Sequence, residues 1–223
     1  MSTGVLYTVD SMSKATVIFD FDGTLANSVD LMVSLYNEHA DEFGYERVKK
    51  SEFPELRRLG YRKAMKKKKL KLRVVAKMVP ILSKEMRSRI DEVDPYEGIV
   101  DALYALREAG HPIGVLTSNQ APLVKDFFKQ HDFPPFDFVV SEKTLFGKDK
   151  ALRRIIKRYQ LDVDDVIYVG DEPRDVAASH KASVQVIGVS WGLAGKEGFA
   201  KNVPDVIVST NDELLTAIDE LSS

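Results

Sequence analysis

The chain contains no cysteine. Disulfides, thiolate nucleophiles and cysteine-ligated metal centres are therefore excluded, and a reducing cytoplasm is the expected setting. Long apolar runs are also missing. The longest are strand-sized, and Lys77 interrupts VVAKMVPIL, so no transmembrane helix is expected. The first dozen residues lack a basic segment followed by an apolar one, so they do not read as a secretory signal. Residues 1–14 read instead as an extension ahead of the first strand. Charge of one sign is not in excess. Lys and Arg number 32 against 34 Asp and Glu, which leaves −2, so neither nucleic acid nor a membrane is an expected partner. His39, His111, His131 and His180 show no metal-ligand spacing.

What the chain does have is a regular alternation of short apolar runs with helical patterns. Runs at 15–20, 112–117, 137–140, 165–169, 184–189 and 205–208 are rich in Val and Ile and mostly continuous. Strands buried on both faces look like this, so an α/β fold with a mostly parallel sheet is expected. Helices are expected at 98–109, stopped by Gly110, at 149–159, and at 211–222 with Asn211 as its cap. Residues 28–95 break the alternation. They carry no strand pattern and read as helices at about 28–43, 62–79 and 83–93, the second ending at Pro80. Lys66–Lys69 on the second reads as a solvated face.

The most informative run is VIFDFDGTLANS, residues 17–28. An apolar strand delivers Asp20 and Asp22 to its end, and Gly23 and Thr24 break it. Alternate strand residues share a face, so both carboxylates point one way if the extended geometry persists. Two such groups repel and lose hydration, and a hard divalent cation with oxygen ligands offsets both costs. A carboxylate is also a competent nucleophile toward phosphorus. An acidic turn would account for Asp-Gly but not for the second Asp inside the apolar run. In an open α/β sheet ligands gather at the carboxyl ends of the strands. Two further strand ends carry suitable groups. Thr117-Ser118-Asn119 precedes a helix start at Pro122, and Gly170-Asp171 is followed four residues on by Asp175, one helical turn from Asp171.

DFDGTLANS resembles the first motif of the haloacid dehalogenase superfamily, and the likeness runs from about Thr16 to the C-terminus. The resemblance implies a Rossmann-like parallel sheet core, 15–27 and 96–223, with an inserted all-helical cap over 28–95. It implies Asp20 as nucleophile and Asp22 as general acid/base, the second Asp pointing to phosphoryl rather than carbon–halogen chemistry. Thr117 falls at the position that binds the transferred phosphoryl group, with Gly23, Thr24, Ser118 and Asn119 expected around the phosphate. GDEPRD matches the motif in which Asp171 binds magnesium directly, beside the Asp20 carboxylate and the Asp22 backbone carbonyl, with Asp175 positioning the metal. The third-motif lysine falls among Lys143, Lys148 and Lys150. Lys148, directly after Gly147 and before a helix, fits best, although the commoner Lys-Pro pairing is missing.

These residues imply a magnesium-dependent phosphomonoesterase acting on a small phosphorylated metabolite through an aspartyl-phosphate, similar to the phosphoglycolate phosphatase branch. The alternatives are a sugar phosphomutase of the β-phosphoglucomutase type, a phosphonatase using a cap lysine, and a regulatory or binding protein on an inactive core. The sequence names neither the substrate nor the oligomeric state.

Overall fold

Six short apolar runs become six strands, and their pairing places the ends that matter side by side. The computed structural model describes residues 14–59, 61–142 and 147–222. Lys143 and all of the expected extension except Lys14 lie outside the described residues. After β1 (Thr16–Phe19) come α1 (Val29–Glu38), α2 (Ala40–Phe43), α3 (Phe53–Leu59), α4 (Tyr61–Lys67), α5 (Leu72–Ser88) and α6 (Ile99–Glu108). Then follow β2 (Ile113–Thr117), α7 (Ala121–Gln130), β3 (Phe138–Ser141), α8 (Lys148–Tyr159), β4 (Val166–Gly170) and α9 (Pro173–Ala182). The chain ends with β5 (Gln185–Val189), α10 (Gly195–Gly198), β6 (Val206–Val208) and α11 (Asn211–Leu221). The strands form one parallel sheet in the order β3-β2-β1-β4-β5-β6. This is the expected α/β, Rossmann-like core. No helix among the described residues is long and apolar enough to cross a membrane.

The two-residue period of each strand sorts its side chains onto two faces. Val17 and Phe19 pack with Val115, Val169 and Ile187, and α6, α7 and α11 cover them through Leu103, Phe127 and Ile218. Ile18 packs the other way with Leu116, Tyr168 and Val186, under α8 and α9 through Leu152, Ile155 and Val176. Covering both faces with helices is what permits unbroken apolar strands.

Register then positions the chemistry. Phe19 lies opposite Val115 on β2 and Val169 on β4, and the Asp20 N–H donates to the Val169 carbonyl at 2.8 Å. Asp20, Thr117 and Asp171 therefore leave three adjacent strands at their carboxyl ends. From β1 the chain proceeds to β2 and β3 on one side and then crosses to β4 on the other. The gap between β1 and β4 is thus the switch point where ligands bind in this class of sheet.

Within 28–95 every described element is a helix, but the bounds differ from those expected. The helix expected over 28–43 is two, broken at His39 and ended by Gly44 at φ 69. The helix expected over 62–79 is also two, because Lys69 turns left-handed at φ 57. Lys68 is carried inward, where its Nζ donates to Glu52 Oε1 at 2.6 Å and to the Arg47 carbonyl at 2.8 Å. The solvated reading of the lysine run therefore fails at Lys68, which is 6% exposed. Pro80 does not end a helix. α5 runs through it, and the lost hydrogen bond is offset by a stripe in which Met78 is buried with Leu70, Val74 and Leu82 against it. At the far end of the chain, α11 is capped by Thr210 and not Asn211. The Glu213 N–H donates to the Thr210 hydroxyl, and Asn211 donates to the Glu97 carbonyl.

Candidate active site

The turn after β1 is set by Phe21. Its ring is fully buried and meets Phe127 edge-on at 5.1 Å between centroids. With Phe21 drawn into the core, Asp20 and Asp22 on either side are left at the mouth of the sheet. Gly23 follows at φ 74, and a Cβ there would lie 2.2 Å from Asp171 Oδ2. Both the backbone angle and the neighbouring carboxylate require glycine.

Asp20 is 4% exposed. Its Oδ1 accepts from the Phe21 N–H at 2.8 Å and its Oδ2 lies 2.6 Å from Lys148 Nζ. The same ammonium lies 2.5 Å from Asp175 Oδ1 and donates to the Tyr168 hydroxyl at 2.9 Å. Asp175 Oδ2 accepts from the Glu172 N–H at 3.1 Å. Asp171 Oδ2 accepts from the Leu193 N–H at 2.7 Å, while its Oδ1 is buried with no hydrogen-bond partner among the described residues. Carboxylate oxygens of Asp20, Asp171 and Asp175 lie within 4.8 Å of one another.

Three buried carboxylates around one ammonium hold excess negative charge. Burial pushes Asp20 up to about 6, against the opposing pull of Lys148. Burial likewise raises Asp171 well above the usual carboxylate range, helped by Asp175 and Asp20. Burial works against the Lys148 charge, but Asp175 and Asp20 outweigh it and raise its pKa. A hard divalent cation fits this donor set. The ligands are oxygens, three carboxylates share one ammonium, and one Asp171 oxygen is unclaimed.

Asp22 is partly buried and stands apart from that cluster. Its Oδ2 accepts from Asn119 Nδ2 at 2.5 Å, and the metal role expected of this residue belongs to its backbone carbonyl, not to this carboxylate. Burial raises its pKa, with Ser28 and Asn119 acting the other way. Thr117 is fully buried, and its Oγ1 accepts from the Asn119 N–H at 3.0 Å. Ser118 is exposed. The Thr24 hydroxyl is buried without a partner among the described residues, and its carbonyl accepts from Trp191 Nε1 at 3.1 Å. Lys148 is in the cluster and Lys150 is exposed.

Two contributors were not expected from the sequence. Tyr168 reads as one more buried strand residue, and nothing local announces that its hydroxyl meets Lys148. The Leu193 N–H carries no side-chain signal at all. Gly192 could have suggested it, because a glycine just past a strand end marks a close approach. A Cβ there would lie 2.3 Å from Asp171 Cβ.

Known proteins resemble this chain over nearly its whole length. A phosphoglycolate phosphatase of Synechococcus elongatus is 28% identical over 206 residues, spanning 92% of this chain and 97% of that protein. Pyrophosphatase PpaX of Bacillus mycoides is 23% identical over 216 residues, spanning 95% and 100%. A crystal structure from Clostridium acetobutylicum, described as a predicted phosphatase, shares the fold. Its TM-score is 0.74 at 22% identity, with 93% of this chain and 100% of that chain covered. A family model for haloacid dehalogenase-like hydrolases matches residues 17–189, more than half of the 223, and the chain belongs to that family.

Proposed function

We propose that the protein is a magnesium-dependent phosphomonoesterase that hydrolyses a small phosphorylated metabolite through an aspartyl-phosphate on Asp20. The observation that carries this reading is the setting of Asp20. One of its oxygens is held by a backbone N–H, and the other lies 2.6 Å from the Lys148 ammonium in a three-carboxylate cluster. Two similar proteins of nearly equal length are named phosphoglycolate phosphatase and pyrophosphatase. Phosphoglycolate is the first substrate to try.

In this reading Lys148 and the Thr117 hydroxyl draw the phosphoryl group toward β1 and β2. Asp20 attacks phosphorus in line, so its Oδ–P bond forms as the P–O ester bond breaks. Asp22, protonated, gives its proton to the leaving oxygen, and burial favours that protonated form. Asp22 then takes a proton from water as the water oxygen attacks phosphorus, which releases phosphate and restores the Asp20 carboxylate. Magnesium, held by Asp20, Asp171, the Asp22 carbonyl and Asp175, would neutralise phosphate charge and so ease the approach of one anion to another. The helical stretch 28–95 acts as a cap that excludes bulk water, over a core of 15–27 and 96–223.

The test is a panel of phosphoglycolate, pyrophosphate and sugar phosphates with purified protein and magnesium. Release of inorganic phosphate is expected. Transfer of phosphate to a second substrate hydroxyl would mark a phosphomutase. No turnover across the panel would mark a binding or regulatory protein.

A further inference from the structure

The stretch from Ser190 to Gly198 touches three regions that the sequence keeps far apart. It contains Trp191, the chain's single tryptophan.

The first region is the pair of linkers joining 28–95 to the sheet. The outgoing and returning strands of chain are laced together. The Asn27 N–H donates to the Asp94 carbonyl at 2.9 Å and the Tyr96 N–H to the Leu25 carbonyl at 3.0 Å, with Ala26 and Pro95 bridged between them. Trp191 grips both. Its indole N–H donates to the Thr24 carbonyl, the Tyr96 hydroxyl donates to the Trp191 carbonyl at 3.4 Å, and the two rings lie 6.2 Å apart. The second region is the carboxylate cluster. A Cβ on Gly192 would lie 2.3 Å from Asp171 Cβ and 2.4 Å from the Gly23 carbonyl oxygen, so this backbone runs hard against both. The next N–H, on Leu193, donates to Asp171 Oδ2. The third region is the insert itself, where α10 packs against α3.

We propose that Trp191 is a positioning residue that couples the linkers of the helical insert to the Asp171 carboxylate. A divalent cation at Asp171 and the position of the insert then bias one another. The inference rests on Asp171 being a cation ligand, as proposed above. The physical argument is one of length and stiffness. One residue, Gly192, separates Trp191 from Leu193, whose N–H holds Asp171. A large planar side chain fixed by its N–H and its ring moves as a unit. Gly192 has no room for a side chain on the side that faces Asp171 and Gly23, so its backbone lies close against both and a displacement is passed on to them. A linker rotation at Thr24 and Tyr96 therefore reaches the Leu193 N–H, and a cation that prefers one Asp171 orientation prefers one linker position. The coupling is reciprocal by linkage.

Because Trp191 is the sole tryptophan, its emission reports the linkers directly. In the wild-type protein, titration with magnesium chloride alone should shift that emission with the midpoint that calorimetry gives for magnesium binding. Trp191→Phe keeps a ring beside Tyr96 but loses the donor to Thr24. It should bind magnesium about tenfold more weakly by calorimetry, as outer-shell substitutions do, with an unchanged melting curve in EDTA. Tyr96→Phe removes only the hydroxyl contact and should blunt the emission shift. Asp171→Asn should abolish both heat and shift. If magnesium binds in an Asp171-dependent way but the emission stays still and Trp191→Phe binds it normally, the coupling is wrong and the cation site stands. If the wild-type protein takes up no magnesium, the cation site itself is wrong and the coupling falls with it. Should Trp191→Phe fail to fold, Tyr96→Phe decides alone, and an undiminished shift there overturns the coupling.

Discussion

Lys148 is shared by two carboxylates, and that sharing sets what each neighbour tolerates. Asp20→Asn removes one negative charge from a crowded cluster and preserves side-chain shape, so the fold should persist. An amide does not attack phosphorus, so turnover should vanish. Near-normal phosphate release by a well-folded Asp20→Asn protein would sink the covalent mechanism. Lys148→Met has a second consequence. It leaves Asp20 and Asp175 facing each other with no ammonium between them. Breaking a buried pair on one side costs about 3–5 kcal/mol, and losing a donor to the reacting oxygens costs about 10²–10³-fold in kcat. Urea denaturation and steady-state kinetics should register both losses, while Lys150→Met, on an exposed side chain, should register neither.

At the scale of elements, the helical stretch is held by polar ties as much as by its small apolar core. Lys68 joins the end of α4 to Glu52 and to the Arg47 carbonyl across the loop 44–52. Lys68→Met should therefore lower stability by about 1–3 kcal/mol, the cost of leaving such partners unsatisfied, whereas Lys66→Met, on an exposed position, should change the melting temperature little. A second tie is pH-dependent. His39, at the break between α1 and α2, meets Glu85 of α5 at 2.8 Å and Glu42 at 3.2 Å. Hydrogen bonds to Glu85 and Glu42 raise its pKa above the ordinary 6.5. The folded state thus binds the proton more tightly than the unfolded one. The extra stability is fully present below the unfolded value and is lost as pH rises through the raised folded value. The stability gap between wild type and His39→Gln should accordingly shrink from pH 6 toward alkaline pH, measured by denaturant titration at each pH. A gap that widened with pH would contradict the charged tie.

For the molecule as a whole, the sheet and the cluster at its edge are one thermodynamic unit. A cation that binds the folded cluster and not the unfolded chain must stabilise the fold, by about 2.7 kcal/mol at one hundred times its dissociation constant. The melting temperature should rise with magnesium concentration and fall back in EDTA, and turnover should follow the same titration. Asp171→Asn should flatten the dependence. A melting temperature indifferent to magnesium, with full activity in EDTA, would remove the metal from the mechanism.

The sequence by itself determined the parts whose signal is local. Six Val- and Ile-rich runs became six strands within a residue or two of the expected bounds, because burial on both faces demands continuous apolar side chains. Asp20, Thr117 and Asp171 were legible as strand-end residues for the same reason, since a strand that stops at a polar group announces where its carboxyl end lies. Tertiary structure decided everything that depends on two distant segments meeting. It brought Lys148 to Asp20 and Asp175, because α8 packs on the face of the sheet that carries Tyr168. It turned Lys68 inward, because Glu52 and the Arg47 carbonyl wait there, and so broke a helix that its own periodicity would have continued. It let α5 pass through Pro80, because the stripe of Met78, Val74 and Leu82 outweighs one missing hydrogen bond. It also brought the Leu193 N–H to Asp171 and Trp191 to Thr24. A backbone donor has no residue-type signature, and its partner is fixed only when β4 and β5 lie side by side.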